Sequence, residues 1–343
     1  MSKDQELVKV KRDTKSLIMK NLIVMAVLII LALTGVISWF TNKTKATADG
    51  INVTCKAPKG LKIAVVQHGE PAPDVNDETQ WSEGEITLTK EDYPFLKEQS
   101  IIEITSDGTD FYKPKLTQEN GKAKPDTNSV WDVADKDSYL SIDVYMKTGE
   151  DHVVYLNSET EISPISTTLT GEQSGNKSDD GDFSKDCIVG AVRLSTVSTV
   201  STVNSTDDST IKNLWIPAPQ IHYDSDNKKV TLDNTSGDTF KHKYWKVTKN
   251  PDGKTGTPNG TKPIEYTEYN GVITNTNGKF TLGKNSLDKN YEFAKLTKKT
   301  DSDKYATGMT TVNIWVDGED DEARFAMVGG KFKATIKLSL GNN

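Results

Sequence analysis

The sequence predicts a mainly β protein: a jelly-roll or Ig-like antiparallel β-sandwich with long loop insertions, preceded by one N-terminal transmembrane or signal helix. Three observations lead there. Apolar and polar residues alternate with period two in several segments. The clearest is the one where Phe332, Ala334, Ile336, Leu338 and Leu340 interleave with Lys331, Lys333, Thr335, Lys337 and Ser339, the pattern of a strand with one face on a core and one in water. After residue 41 no long apolar helical stripe occurs, while Gly, Asn, Asp and Pro separate the short apolar runs. Ahead of all this, residues 22–40 carry no charge.

Taken in order, residues 1–21 form a basic head. Lys3, Lys9, Lys11, Arg12, Lys15 and Lys20 outnumber Asp4, Glu6 and Asp13, and the positive-inside bias assigns this head to the cytoplasm. Residues 22–40 would reach about 28 Å as a helix, close to the hydrocarbon thickness of a bilayer. The length favours an uncleaved anchor, but Val36-Ile37-Ser38 at the exit, which puts the cut between Ser38 and Trp39, and Ala46-Thr47-Ala48 beyond it read as cleavage sites. Anchor and cleaved signal both stay open. Residues 41–343 are then an exported β domain, with insertions around 165–300.

Further strands are predicted where Ile142, Val144 and Met146 alternate with Ser141, Asp143, Tyr145 and Lys147, and where Val312, Ile314 and Val316 alternate with Thr311, Asn313 and Trp315. Residues 51–55, 61–67, 101–106, 152–156, 187–194, 229–232 and 243–248 complete the set. Two short helices are expected. One spans 89–99, with a capping-box-like start at Thr89 and a limit set by Pro94. The other spans 320–328, with acids in its first turn and Gly329-Gly330 after it. Polar stretches 171–186 and 251–263 are expected at the surface. The Ser-Thr-Val repeat at 195–203 fits neither strand nor helix period, and is expected to be a loop or a strand extension. Whether 205–305 is an embedded subdomain or only long loops stays open.

Residues 1–40 hold 6 of the 42 basic and 3 of the 49 acidic residues, so the exported part has a net charge of −10. That argues against nucleic acid or anionic lipid as partners of this part. The two cysteines, Cys55 and Cys187, would sit in an oxidising compartment, and a disulfide between them is one expectation. The other is that Cys55, in phase with Ile51 and Val53, is a small core residue.

No G-x-S-x-G elbow, H-E-x-x-H helix, Walker loop or G-x-G-x-x-G is present. His68, His152, His222 and His242 are far apart with no carboxylate at ligand spacing, so structural or surface roles are expected for them. Asp317, Glu319, Asp320 and Asp321 form the densest acidic cluster. They are a candidate Ca²⁺ site without EF-hand spacing, the alternative being acids at a solvated helix start. No other cofactor is expected. Residues 176–182 imitate the opening of an EF-hand loop, but its twelfth position is Cys187, where a Glu belongs. Among Trp81, Trp131, Trp215, Trp245 and Trp315, we expect core positions for most. Trp315 is the exception, a candidate exposed sugar platform because Val312, Ile314 and Val316 claim the opposite face.

The junction Gly35-Val-Ile-Ser38-Trp39-Phe40-Thr41, followed by a polar stretch and Gly50-Ile51-Asn52-Val53, resembles the start of TasA and camelysin-type exported proteins of Gram-positive bacteria. Tyr139 to Lys147 with His152 to Asn157 is similar to paired strands of that family's jelly roll. Trp315 to Leu340 resembles the closing strands of related surface proteins. The resemblance covers the two ends and a central hairpin, and the chain departs from the family in its longer head and its excess around 165–300. It implies an exported surface or biofilm-matrix protein cut near Ser38. With no catalytic motif in the chain, a non-enzymatic structural or adhesive protein is expected, with a fibre subunit as one form of it. Strand addition by a segment near 39–53 is the expected physical route of self-association. Camelysin-type proteins have been credited with metalloprotease activity, but no zinc-ligand motif here supports carrying that over. From the residues alone, the alternatives are a membrane-anchored module that binds cell-wall or matrix polysaccharide and, more weakly, a secreted metal-dependent hydrolase. No sorting motif precedes Asn343, so attachment to the wall by that route is not expected.

Overall fold

The computed structural model describes residues 46–47, 51–89, 93, 100–101, 104–119, 122–126, 128–165, 172–173, 176–178, 181–183, 185–200, 209–224, 229–233, 235–249, 261–273, 280–283, 291–318, 320 and 330–341. The basic head, the 22–40 run and the Ser38–Trp39 junction lie outside them, as do nearly all of both expected helices and residues 201–203 and 251–260. No helix among the described residues is long and apolar enough to cross a membrane. The chain divides into two compact units, residues 1–42 with 118–124, and residues 43–117 with 125–343. Everything below belongs to the second.

The protein is mainly β, and twelve strands make its two largest sheets. They are β1 (Ile51–Lys56), β2 (Lys62–Gln67), β3 (Ser82–Glu83), β4 (Glu85–Leu88), β5 (Leu140–Thr148), β6 (His152–Leu156), β7 (Glu161–Pro164), β8 (Val192–Val200), β9 (Ser209–Trp215), β10 (Glu292–Leu296), β11 (Ala306–Val316) and β12 (Phe332–Gly341). The first sheet runs β9-β8-β11-β5-β2-β3, and the second runs β10-β6-β12-β1-β4 with β7 also on β12. Every pairing in them is antiparallel except β1 with β12, where Ile51 faces Phe332 and Lys56 faces Lys337.

The period-two pattern sets which side chains go inward. Ile63 and Val65 of β2, Leu140, Ile142, Val144 and Met146 of β5, and Val312, Ile314 and Val316 of β11 come from the first sheet. They join Val53 and Cys55 of β1, Val154 and Leu156 of β6, and Phe332, Ala334, Ile336 and Leu338 of β12 in one hydrophobic cluster. Each fully buried aliphatic side chain stabilises this core by about 1.5–3 kcal/mol relative to exposure. Edge strand β10 is tied across to the first sheet. Asn213 Nδ2 donates to Glu292 O at 2.8 Å, and Thr310 Oγ1 donates to Phe293 O at 2.5 Å, which satisfies carbonyls that an edge would otherwise leave open.

The outer face of the first sheet is covered in two places. Residues 104–117 and 128–139 lay a small antiparallel sheet, Thr105–Ser106, Phe111–Lys113 and Asp132–Val133, against it, and residues 72–81 form a loop farther along. The Ser-Thr-Val repeat is a strand extension as far as Val200, paired to β9 over its whole described length and to β11 as far as Val197. Strand 187–194 starts later than predicted, because Cys187–Ala191 belongs to a 3-10 turn. Short apolar runs do not distinguish a buried turn from a strand by periodicity. Stretch 205–305 is more than loops: it contributes β9 and β10, a hairpin of Ile221–Asp224 with Lys229–Leu232, and a long hairpin of Thr239–Lys249 with Thr261–Val272. Stretch 171–186 likewise holds short strands at 172–173, 176–178 and 181–183.

Candidate functional site

Trp315 is on the face that the alternation predicts, but it is fully buried, not an exposed platform. The small sheet of residues 105–113 and 132–133 covers it. Phe111 meets its ring edge to face at 5.3 Å between centroids and stacks on Tyr139 at 3.9 Å, and Ile104 and Ala134 complete this second core. Trp315 Nε1 donates to Asp317 Oδ2 at 3.3 Å. A sheet's outer face reads as solvated from the strand alone, and a cover contributed by residues two hundred positions earlier leaves no trace in that strand's own pattern.

The structure places two of the four acidic residues singled out as a candidate Ca²⁺ site. Asp317 is fully buried, its backbone N–H bonded to Ala191 O at 2.9 Å and its backbone bridged to Ile104. Asp320 is buried as well, and its Oδ2 accepts from Arg193 Nη2 and lies 2.8 Å from His242 Nδ1. These carboxylates face protein donors, not a solvated ion site. Glu319 and Asp321 lie outside the described residues, and among the described residues no group of three or more His, Cys, Asp or Glu is placed to hold a metal ion. His242 stays neutral. Burial, then the Arg193 guanidinium and His222, push its pKa down to about 2, overriding the pull of Asp320 towards the charged ring. His242 Nδ1 also lies 2.8 Å from Arg193 Nη2, which can only donate.

Cys55 and Cys187 are both fully buried, and no disulfide joins them. Both are members of the hydrophobic core. Burial pushes the Cys55 thiol up to about 12, which keeps it protonated and unreactive.

His68 does find a carboxylate, across the sheet and not along the sequence. Its Nδ1 lies 2.8 Å from Asp143 Oδ1, which also accepts from Thr311 Oγ1 at 2.7 Å. The imidazole is half exposed while Asp143 is buried. The carboxylate links both partners, so no nucleophile, base and orienting acid stand in series here.

Compared with protein-family models, with curated proteins and with solved structures, this chain matches none.

The most organised surface feature is one that sequence reasoning missed. Lys147, on the outer face of β5, is fully buried. Its Nζ donates to Val75 O at 2.7 Å and Glu78 Oε1 at 3.1 Å, and sits 4.5 Å from the ring centroids of both Trp81 and Tyr305. An ammonium removed from water needs such compensation, from carbonyl, carboxylate and aromatic faces together. Glu78 also accepts from Lys62 Nζ at 2.8 Å and from Tyr305 Oη at 2.7 Å. Hydrogen bonds from Lys62, Tyr305 and Lys147 hold its carboxyl down at about 2. Trp81 is fixed further by its Nε1, which donates to Asp74 O at 2.8 Å.

This knot pins loop 72–81 and the turn at 299–305 to the sheet. Between them opens a cleft of about 410 Å³, lined by Asn76, Trp81, Tyr145, Lys299, Asp303, Lys304 and Tyr305 among others. The signals were in the sequence, a lysine at an outward β5 position and two aromatics. What was absent was any local sign that loops from residues 72–81 and 299–305 would converge on that lysine.

Proposed function

We propose that this chain is a non-enzymatic surface protein of jelly-roll type, exported through residues 22–40 and either anchored or released there, which self-assembles by exchanging its first sandwich strand. The observation that carries the reading is the place of β1. Among the described residues it is the first strand of the two large sheets, it inserts between β12 and β4, and its pairing with β12 is the parallel one. Its Val53 and Cys55 are fully buried, so the slot it fills is apolar and would not stay open in water.

Residues 51–53 are already paired within their own chain, so assembly takes the form of exchange, not addition to a vacant edge. Turn residues 57–61 join β1 to β2, and Gly60 there has φ 87°, a backbone state that a hinge can use without strain. If β1 leaves its slot and enters a neighbour's, every backbone hydrogen bond is remade between chains, which is the low-cost route to swapped dimers or, when head to tail, to filaments. Processing near Trp39 would free the N-terminal segment to do this.

The test is a crosslink across the register. Thr54 and Thr335 are Cα partners on β1 and β12, so T54C/T335C is oxidised in monomeric and in concentrated, processed protein. Disulfide-linked multimers in the concentrated sample support exchange. Only intramolecular crosslinks, in protein that stays monomeric by light scattering, overturn it.

A further inference from the structure

We propose that the cleft beside Trp81 is a saccharide-binding subsite selective for chains that carry carboxylates. The proposal does not rest on strand exchange. Its volume of about 410 Å³ is in the range of small-ligand sites. Trp81 is partly exposed within it and is held on its other contacts by Lys147 and Asp74 O. A sugar ring has an apolar face of C–H groups that lies flat on an indole, and a platform already fixed in place loses little entropy when it binds. Asn76, Tyr145 and Thr307 also line the cleft and supply the hydrogen-bonding groups that hydroxyls need.

The charge of the rim selects the class of sugar. Tyr305 has two ammonium groups near its centroid, Lys147 at 4.5 Å and Lys304 at 4.8 Å. Trp81 has Lys147 alone at 4.5 Å, which leaves Trp81 the more open ring for stacking. Lys299 acts electrostatically on Asp303, and Lys304 is bonded to Tyr305 and acts electrostatically on Glu78. The two lysines therefore outnumber the single aspartate of the lining without being free of carboxylates. The one carboxylate that lines the cleft, Asp303, accepts from Thr300 N at 3.0 Å. A positive rim on a chain of net charge −7 is complementary to sparse carboxylates. A polyphosphate backbone needs a denser basic patch, with arginines, than two lysines provide.

The test is calorimetric titration of the full chain in detergent micelles with a hyaluronan hexasaccharide, whose alternate sugars are glucuronate, and with cellohexaose as the neutral chain. The expected result is that the hyaluronan oligosaccharide binds and cellohexaose binds more weakly. Lys299→Gln with Lys304→Gln should weaken the former about tenfold, the equivalent of one lost charge-assisted contact, without altering thermal stability. Trp81→Ala should abolish binding. Because Trp81 also contacts Lys147, that variant's folding is checked by circular dichroism, and the lysine pair carries the decision. No heat with the hyaluronan oligosaccharide, equal affinity for the neutral chain, or an unchanged affinity in the lysine variant would overturn the proposal.

Discussion

Arg193 and Asp320 lie 127 positions apart in sequence and meet inside the protein, where Nη2 of the first donates to Oδ2 of the second and both side chains are almost wholly buried. Nη1 of the same guanidinium donates to Gly190 O at 2.7 Å and Val192 O at 2.9 Å. His242, on the long hairpin, brings its Nδ1 to the same carboxylate oxygen. One carboxylate in the stretch after β11 therefore fastens β8 and the hairpin together. The geometry compensates two charges that would each be costly alone.

Asp320→Ala is expected to lower stability by about 3–5 kcal/mol, because it leaves the Arg193 charge buried without its counter-ion. Replacing both partners, as in R193M/D320L, should cost less than the sum of the single variants, since no unpaired charge then remains. Urea unfolding of the set measures both. Equal additivity would mean that the pair is solvated.

His242 gives the protein a pH dependence whose sign is fixed. Its folded pKa of about 2 is below the ordinary 6.5, so the unfolded chain binds a proton that the folded one refuses. Stability is present above about pH 6.5 and is lost as pH falls towards 2, by about 1.4 kcal/mol per pH unit for one proton. Between about pH 6.5 and pH 5 most carboxylates do not titrate, so urea unfolding there reads the histidine. His242→Gln should flatten that slope, and an unchanged slope would assign it elsewhere.

The same residues show what the sequence made legible. Alternation identified the strands and the inward side of β5, β11 and β12, because a one-residue slip would place every apolar side chain in water. It placed Trp315 on the correct face and then misjudged its exposure. The cause is common to Trp315 and Lys147: each points away from the main core and is covered by chain from a distant part of the sequence. A strand's period records which way a side chain points, and it contains nothing about what lies over it. The lysine knot and the Arg193–Asp320 pair were hidden for that reason, and the cleft with them. Cys55 was legible as a core residue because its burial follows from phase alone.

Thiol chemistry separates the two readings of the cysteines. With the Cys55 pKa pushed up to about 12 by burial, almost no thiolate exists at neutral pH. The native protein should fail to react with Ellman's reagent. After denaturation without reductant, both of its cysteines should titrate. A denatured sample that titrates only after reduction would reveal a disulfide and contradict the buried thiols.

Trp315→Ala should cost about 3–5 kcal/mol, the range for removing a large aromatic from a core. It should leave oligosaccharide binding at the Trp81 cleft unchanged, since Trp315 packs on Phe111 and Tyr139 and does not line that cleft. Thermal unfolding and calorimetric titration of the one variant check both halves. A stable variant would mean that the small sheet around Phe111 does not pack on β11.

Gly308 tests how closely β10 approaches β11. A Cβ at this position would sit 2.7 Å from Leu296 Cδ2 and 2.9 Å from the Lys295 carbonyl oxygen, both inside ordinary contact distance. The leucine methyl can swing aside, but the carbonyl belongs to an edge strand that Asn213 and Thr310 already hold in place. The strand must therefore shift as a unit, and overpacking of that kind costs about 1–3 kcal/mol. Gly149 is the control: it has no left-handed φ and nothing within 4 Å of its added Cβ, so Gly149→Ala should lie within about 0.5 kcal/mol of the wild type. If Gly308→Ala unfolds at the same urea concentration as Gly149→Ala, β10 does not close the sandwich at this point, and that edge becomes a competing site for strand pairing.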